Sequence, residues 1–421
     1  MMWAVIDANS YFCSVEQVFH PGLQGKPVVV LSSNDGIIVA LTPEAKAVGL
    51  HRGDPVFKVR GIIEKYHVNV FSGNMILYAA MSERVQSIIR KAVDYCESYS
   101  IDEIFADLSG YSGHYDPEGY MRNLAERIRL WTDIPVSIGI APTKTLAKMG
   151  SKFAKNHPGY RSVCMIDSDR KRRKALEIFD LDDVWGIGRH SYEKLLSLGV
   201  RTPLEFADKP GEWVHRHFAK PGIQTWKELN GCSCIDTAEV LRRQTITTSR
   251  SFSEMTDKLQ YLKASVASFA SGCANKLRAQ GSAAGTVTVF MCSNFFRKDL
   301  PQYFYTKSCD FPVHTADTVE IVQAALRLTE EMFRPGIMYK KTGVILSDIV
   351  SGTVQQNIFD PVPNRDARQE LSRTLDTLNR RYGLKTVRLA VEGGQAEPWR
   401  ARCDNRSHNY LTNIDELLTI G

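Results

Sequence analysis

Several absences narrow what this chain can be. Its 421 residues contain no stretch of about 18 consecutive apolar residues, so no transmembrane helix is expected. The opening "MMWAVIDAN" lacks a basic segment and reaches Asp7 at once, which does not fit a secretory signal. Nine cysteines are scattered, and the one close pair, Cys232 and Cys234, has no second pair to complete a structural zinc site. The expectation is reduced thiols in a cytoplasmic protein without a membrane partner. No internal repeat and no long low-complexity tract occurs.

What is present is ordinary globular composition, 43% hydrophobic and 24% charged, at a length suited to two to four domains. The net charge of +6 is mild, but its distribution is uneven. Between Pro142 and Ala175 ten basic residues face only Asp167 and Asp169. Such a block is commonly a solvated face; beside phosphate-binding loops it points to a polyanion.

The apolar pattern gives a strand at Trp3 to Ile6 ending in Asp7, then a helix. "KPVVVLS" and "IIVALT" read as strands, and "PEAKAVG" as a short helix with Pro43 in its first turn and Gly49 as its cap. Helical periodicity runs through "MILYAAMSERVQSIIRKAVDYC". Two strand candidates flank "ESYSIDEIFADLSG", residues 97–110, followed by a helix, the strand "PVSIGIA" and the lysine-studded helix "TKTLAKMGSKFAKN". This order is that of a split βαβ, ferredoxin-like unit with Pro21 to Ser72 inserted after its first helix. From about Asp169 the chain reads as helical and basic. From Gln244 "QTITTSRSF", "GTVTVFMCS" and "KTGVILSDIV" alternate with two helices as a separate α+β domain. Past Gly352 it reads as a polar tail.

Adjacent acids Asp102 and Glu103 break the alternation of a strand, because one of them would face a core. If Ser100 to Glu103 is a hairpin tip, both can point to one side. In a split βαβ sheet the first strand lies beside that hairpin, so Asp7 can join them. Three converging carboxylates repel unless a divalent cation neutralises them, and an oxygen-rich set suits Mg²⁺. Two such ions serve phosphoryl transfer. The same acids could equally be solvent charges at a hairpin tip. Lys46 is in reach of a nucleotide phosphate if the inserted segment folds over the site, and Lys155 stands near the end of the basic helix; either could equally be a surface charge. In "VWGIGRHSYEKLLSLGV", Gly186 and Gly188 before an amphipathic helix match a helix-hairpin-helix that grips DNA phosphates without reading sequence; a plain αα-hairpin is the other reading.

Together "VIDANSYFCSVE", "PEAKAVG", "YSIDEIFADLSG", "SIGIAPTKTLAKMGSKFAK" and "VWGIGR" resemble the Y-family translesion DNA polymerases, over nearly the whole chain. "SSNDGIIVA", "GDPVFK" and the long tail look most like the catalytic subunit type of bacterial DNA polymerase V (UmuC type). The resemblance implies an α+β right hand: a ferredoxin-like palm (1–10 and 74–165), small fingers (11–73), a helical thumb with the helix-hairpin-helix (166–232), a linker (233–243), a β-rich little finger (244–353) and a C-terminal tail (354–421). It implies a low-fidelity DNA polymerase of the SOS-type damage response, without a proofreading exonuclease. Asp7, Asp102 and Glu103, with the backbone carbonyl of Ala8, would hold two Mg²⁺ ions, for which Mn²⁺ can substitute. Lys46 and Lys155 would bind the triphosphate. Gly186, Gly188, Arg189, Lys144 and Lys148 would contact the DNA backbone.

Two departures weaken the expected grip on the triphosphate. Lys46 stands where the family usually has Arg and offers no bidentate fork. Pro43 stands where Tyr is common and has no hydroxyl. Phe12 falls at the steric-gate position, where an aromatic ring excludes a ribose 2′-OH, while Tyr11 reads as core. Gln355, Ile358 and Phe359 in "QQNIF" resemble the bacterial sliding-clamp peptide. Implied partners are primer-template DNA, dNTP, the clamp, and a UmuD-type processed dimer with RecA, in the cytoplasm at the nucleoid. A nucleotidyl cyclase or other palm-fold transferase shares the paired acids, and a non-catalytic accessory protein could keep the fold.

Overall fold

The computed structural model describes residues 1–111, 116–237, 243–351, 360, 362–383, 385–393, 399 and 402–418. Two compact units divide it: Met1–Val240 with Cys403–Gly421, and Leu241–Arg402.

The first unit starts with β1 (Trp3–Ala8) and α1 (Tyr11–Phe19), then β2 (Val28–Leu31), β3 (Ile38–Leu41), α2 (Pro43–Ala47), α3 (Val56–Lys65) and β4 (Asn69–Ser72). There follow α4 (Met75–Ala92), β5 (Cys96–Ser98), β6 (Glu103–Asp107), α5 (Pro117–Thr132), β7 (Val136–Ala141), α6 (Lys144–Asn156) and β8 (Val163–Met165). Five helices complete it: α7 (Asp169–Ile178), α8 (Arg189–Ser197), α9 (Pro203–Ala207), α10 (Gly211–His217) and α11 (Lys220–Leu229).

Its main sheet has the order β5-β6-β1-β7-β8. The first four strands form the antiparallel split βαβ expected from the sequence, and β8 adds in parallel to β7. Both faces are covered, which explains why β1 and β7 read as continuous apolar runs. On one face Ala4, Ile6, Ile104, Ala106, Ile138 and Ile140 pack under α4 and α5. On the other, Trp3, Val5 and Phe105 pack under Leu146, Ala147 and Met149 of α6 and continue into the helical segment through Leu176, Leu195 and Phe206. The inserted segment has its own sheet, order β3-β2-β4, and a small core of Val29, Leu31, Ile38 and Leu50.

The second unit comprises β9 (Ile246–Thr256), α12 (Leu259–Ala279), β10 (Ser282–Ser293), β11 (Phe304–Thr315), α13 (Thr318–Met332), β12 (Tyr339–Ser351) and α14 (Arg365–Tyr382). An antiparallel sheet of order β11-β10-β12-β9 packs its apolar residues against α12 and α13. Strand β11 is not among the strands read from sequence. Its residues are largely exposed and polar on this edge of the sheet, and Pro312 interrupts them, so no apolar alternation marks it.

The 354–421 stretch, expected as one tail, is divided between the two units. Helix α14 is bound into the second by Arg368 to Asp317 (2.6 Å), Asp376 to Arg278 (2.7 Å) and Arg365 to Glu320 (3.0 Å). Trp399 is buried in that unit's core. Residues from Cys403 onward belong to the first unit. Polar composition hid this, because the docking is largely by hydrogen bonds and ion pairs.

The fit of α6 on β7 requires two glycines. A Cβ on Gly139 would overlap the backbone of Ala147 and Ser151, and one on Gly150 would sit 3.0 Å from the Cys164 carbonyl oxygen. Strand and helix backbones meet here without side chains between them. Gly139→Ala is expected to cost about 3 kcal/mol or more, because rigid backbone must move. A urea titration with an unchanged midpoint would refute this close approach.

Candidate active site

Strand pairing positions the acids. Asp7 lies directly opposite Glu103 in the antiparallel β1–β6 ladder, and opposed residues project to one face. Strand β5 stops at Ser98, and the turn before β6 carries Asp102. Tyr99 and Ser100 both donate their N–H groups to the Glu103 carbonyl at 3.1 Å. The Ser100 hydroxyl donates to Asp102 Oδ1 at 2.5 Å and accepts from the Glu103 amide at 3.1 Å. The Ala8 amide donates to the Asp102 carbonyl at 2.9 Å and fastens the tip to β1. The hairpin tip inferred from the sequence is thus present. Asp107 lies at the far end of β6, opposite Trp3, and accepts from the Ser109 amide at 2.8 Å.

The acid face of the sheet lies under α6, whose lysines meet it in a row. Lys155 Nζ donates to Asp7 Oδ1 at 2.8 Å, and Lys148 Nζ pairs with Glu103 Oε1 at 2.8 Å. These lysines are seven residues apart and share a helix face. Burial pushes the Asp7 carboxyl above its ordinary pKa; Lys155 opposes this and neighbouring Asp102 adds to it. Burial likewise raises Glu103, with Lys148 opposing and Asp7 and Asp102 adding. Asp7 therefore feels the charge of Asp102, and Glu103 feels that of both aspartates.

Lys144 departs from its expected role at the DNA backbone. It is 1% exposed and its Nζ donates to Glu97 Oε2 at 2.5 Å, over the Trp3 ring at 4.2 Å. Being buried, it presents no charge to a polyanion. Lys46 is exposed on α2 and makes no ion pair among the described residues. Of the two expected triphosphate lysines, only Lys155 is therefore seen in contact with the acids.

Phe12 and Tyr11 differ in burial. After β1 the chain turns through Ser10 in the left-handed region (φ 45°) into α1. Tyr11 is buried, its hydroxyl donating to the Tyr78 carbonyl at 2.7 Å. Phe12 is half-buried and stacks on the Tyr78 ring, centroids 4.6 Å apart and planes at 16°. The Tyr78 hydroxyl in turn donates to Glu16 Oε1 at 2.7 Å. In the glycine motif, Gly186 adopts φ +95°, and a side chain there would collide with Thr225. Gly188 is the N-cap of α8, and the Arg189 side chain is 91% exposed, paired with Glu193. Gln355, Ile358 and Phe359 lie outside the described residues.

Among the described residues no group of three His, Cys, Asp or Glu forms a ready metal cage. The donors are nonetheless of the right kind: three neighbouring carboxylates, two of them already neutralised by cations, which a hard divalent ion could replace. The set fits Mg²⁺ in chemistry, while Asp7 and Glu103 are now turned to lysines and Asp102 to the Ser100 hydroxyl.

The protein-family comparison places the chain as a whole. Residues 6–152 match the impB/mucB/samB family, 243–358 match its C-terminal domain, and 369–420 match a domain of unknown function (DUF4113). Protein ImpB of Salmonella typhimurium is 36% identical over 420 residues, 99% of either chain. Protein UmuC of Salmonella typhimurium strain LT2 is 34% identical over 423 residues, with all of both chains covered. The chain belongs to the impB/mucB/samB family, the UmuC type of Y-family polymerase. A DNA polymerase IV of Moorella thermoacetica is 29% identical over 91% of this chain and 94% of its own length. Among solved structures, a Y-family DNA polymerase chimera of Dbh and Dpo4 aligns with a TM-score of 0.67 at 22% identity. It covers 84% of this chain and all of its own. An insertion ternary complex of Dbh DNA polymerase gives 0.52 at 20%, with the same coverage. These likenesses show the fold.

The family match spans all three acids, Phe12 and Lys46 but ends before Lys155. Sequence reading missed Glu97, Glu16 and Tyr78. Glu97 stands in a three-residue strand whose sequence shows no alternation, so nothing marked it. Removing one partner of the buried Lys144–Glu97 pair leaves a charge without compensation. Lys144→Met should therefore cost about 3 kcal/mol, and adding Glu97→Gln should recover most of the loss. A single variant as stable as the parent in urea would refute the pairing.

Proposed function

We propose that this chain is a template-directed, low-fidelity DNA polymerase that copies past damaged template in an SOS-type response. The reading rests on one observation above the rest: the register that sets Asp7 opposite Glu103, with Asp102 in the adjoining turn, in a chain of the UmuC type. Support comes also from relatives named UmuC and DNA polymerase IV, and from a fold neighbour described as an insertion ternary complex. We assign 1–10 and 74–165 as palm, 11–73 as fingers, 166–232 as thumb, 233–243 as linker and 244–353 as little finger.

In the proposed reaction the primer 3′-OH oxygen attacks the α-phosphorus of a dNTP, the bond to the β-phosphate bridging oxygen breaks, and pyrophosphate leaves. Asp7, Asp102 and Glu103, with the Ala8 carbonyl, would hold two Mg²⁺ ions, or Mn²⁺ in their place. When bound, these supply the positive charge that activates the hydroxyl and offsets the charge on the phosphates. Glu103 would lie nearest the 3′-OH. An ammonium has three donors, so Lys155 can hold a triphosphate oxygen while remaining beside Asp7. Lys46 would add a second, weaker point of attachment, without help from Pro43. The ring of Phe12, braced on Tyr78, would exclude a ribose 2′-OH. Lys148, Arg189 and the turn of Gly186 and Gly188 would face DNA phosphates. The segment holding Gln355, Ile358 and Phe359 would bind a sliding clamp, and a UmuD-type dimer with RecA would be further partners.

Primer extension with Mg²⁺ on plain and lesion-bearing templates tests this. The parent should extend both, and Asp102→Ala should lower kcat at least 100-fold, on the order of losing one principal charge-stabilising group. No extension by the parent, even with accessory partners, would remove the polymerase reading. Phe12→Ala should keep dNTP incorporation and lower discrimination against ribonucleotides at least about tenfold, or about 1.4 kcal/mol. For the clamp, Ile358→Ala with Phe359→Ala should abolish pull-down, and retained binding would discard that assignment.

A further inference from the structure

The end of the chain reaches the platform beneath Phe12. From Asp404 onward it lies along the end of β4. The Asn405 carbonyl accepts from the Ser72 amide at 2.9 Å, and Arg406 forms a parallel bridge with Ser72. Asn74, the N-cap of α4, donates its side-chain amide to the Ser407 carbonyl at 2.9 Å. The Ser407 hydroxyl then donates to Glu16 Oε1 at 2.9 Å, the same oxygen that accepts from Tyr78. Three residues on, the Tyr410 ring stacks on Phe19 of α1, centroids 4.8 Å apart. The segment therefore grips both helices that carry the gate: α1 with Phe12 and Glu16, and α4 with Tyr78.

Glu16 is the joint. It is 0% exposed, and its other oxygen has no hydrogen-bond partner. A buried carboxylate depends strongly on the donors it has. Both donors to Oε1 are hydroxyls, one on the gate's platform and one on the C-terminal segment. Losing the Ser407 hydroxyl leaves Tyr78 as the one remaining donor among the described residues and frees Glu16 and the platform to adjust. Steric exclusion is sensitive to small displacements, because repulsion rises steeply with overlap.

We propose that Ser407 is a positioning residue for sugar selection: through Glu16 and Tyr78, the segment 403–418 holds Phe12 at the height that excludes a 2′-OH. This gives a role to part of a region whose matching family model carries no assigned function. It rests on the reading of Phe12 as the sugar gate. The full chain is tested by the ratio of kcat/KM for a dNTP to that for the ribonucleotide of the same base, beside thermal melting. Ser407→Ala should lower the ratio roughly fivefold, the scale of one lost hydrogen bond, and Ser407→Thr, which keeps a hydroxyl, should restore it. In a Phe12→Ala background Ser407→Ala should add nothing. Should Ser407→Ala fail to fold, Tyr78→Phe, which keeps the ring and removes the other donor, should lower the ratio similarly. A lower melting point or a uniform loss of activity with the ratio unchanged would reduce the segment to a structural prop and overturn the proposal. If the ratio falls in Phe12→Ala alone, this inference fails and the gate reading stands. If Phe12→Ala also leaves it unchanged, both fail.

Discussion

The pairing of β1 with β6 is the constraint on which the site depends. It sets Asp7 opposite Glu103, and a slip of one residue would turn every side chain of β1 to the other face. That slip is opposed from both sides. Ile6 and Ile104 are fixed under α4 and α5, while Val5 and Phe105 are fixed under α6. The acids are held where they are by the burial of their apolar neighbours, not by any attraction between themselves, which is repulsive.

That repulsion makes α6 the second necessity. Lys148 and Lys155 neutralise Glu103 and Asp7, and Lys144 does the same for Glu97 in the core. They reach because Gly139 and Gly150 let helix and strand backbones close together. The three ion pairs differ in consequence. The Lys144 pair is sealed from water and serves the fold, whereas the other two remain partly open and can exchange a partner. The same helical repeat supplies one buried and two partly open cations, with distance from the solvent edge deciding which is which.

This explains what the sequence could and could not reveal. The hairpin tip was legible because two charges cannot sit side by side in a strand with both faces buried. The core of the sheet was legible from its apolar runs. The burial of Lys144 was not, since charge counting along a helix takes no account of what the facing strand offers, and Glu97 stands in a three-residue strand too short to show alternation. Nor was the division of the C-terminal stretch: Ser407 and Asn74 dock by hydrogen bonds, which leave no periodic trace. Edge strand β11 was hidden for a related reason, since most of it is exposed and Pro312 breaks any alternation.

The two expected triphosphate lysines show how unequal such legibility leaves a site. Lys155 is placed by the same sheet-and-helix packing that places the acids, so its position is as well determined as theirs. Lys46 sits on a five-residue helix of the inserted segment, whose Ala45 packs in that segment's own small core. The inserted sheet joins the core of the main sheet through its other face, at Val28 and Val30, so the burial of the main sheet places Lys46 less directly than Lys155. An Arg there could bridge two phosphate oxygens and tolerate such freedom, because a planar fork orients itself on its ligand. A lysine offers only a point charge, so in the proposed reaction the register of the acids and the reach of Lys155 would supply most of the orientation of a triphosphate.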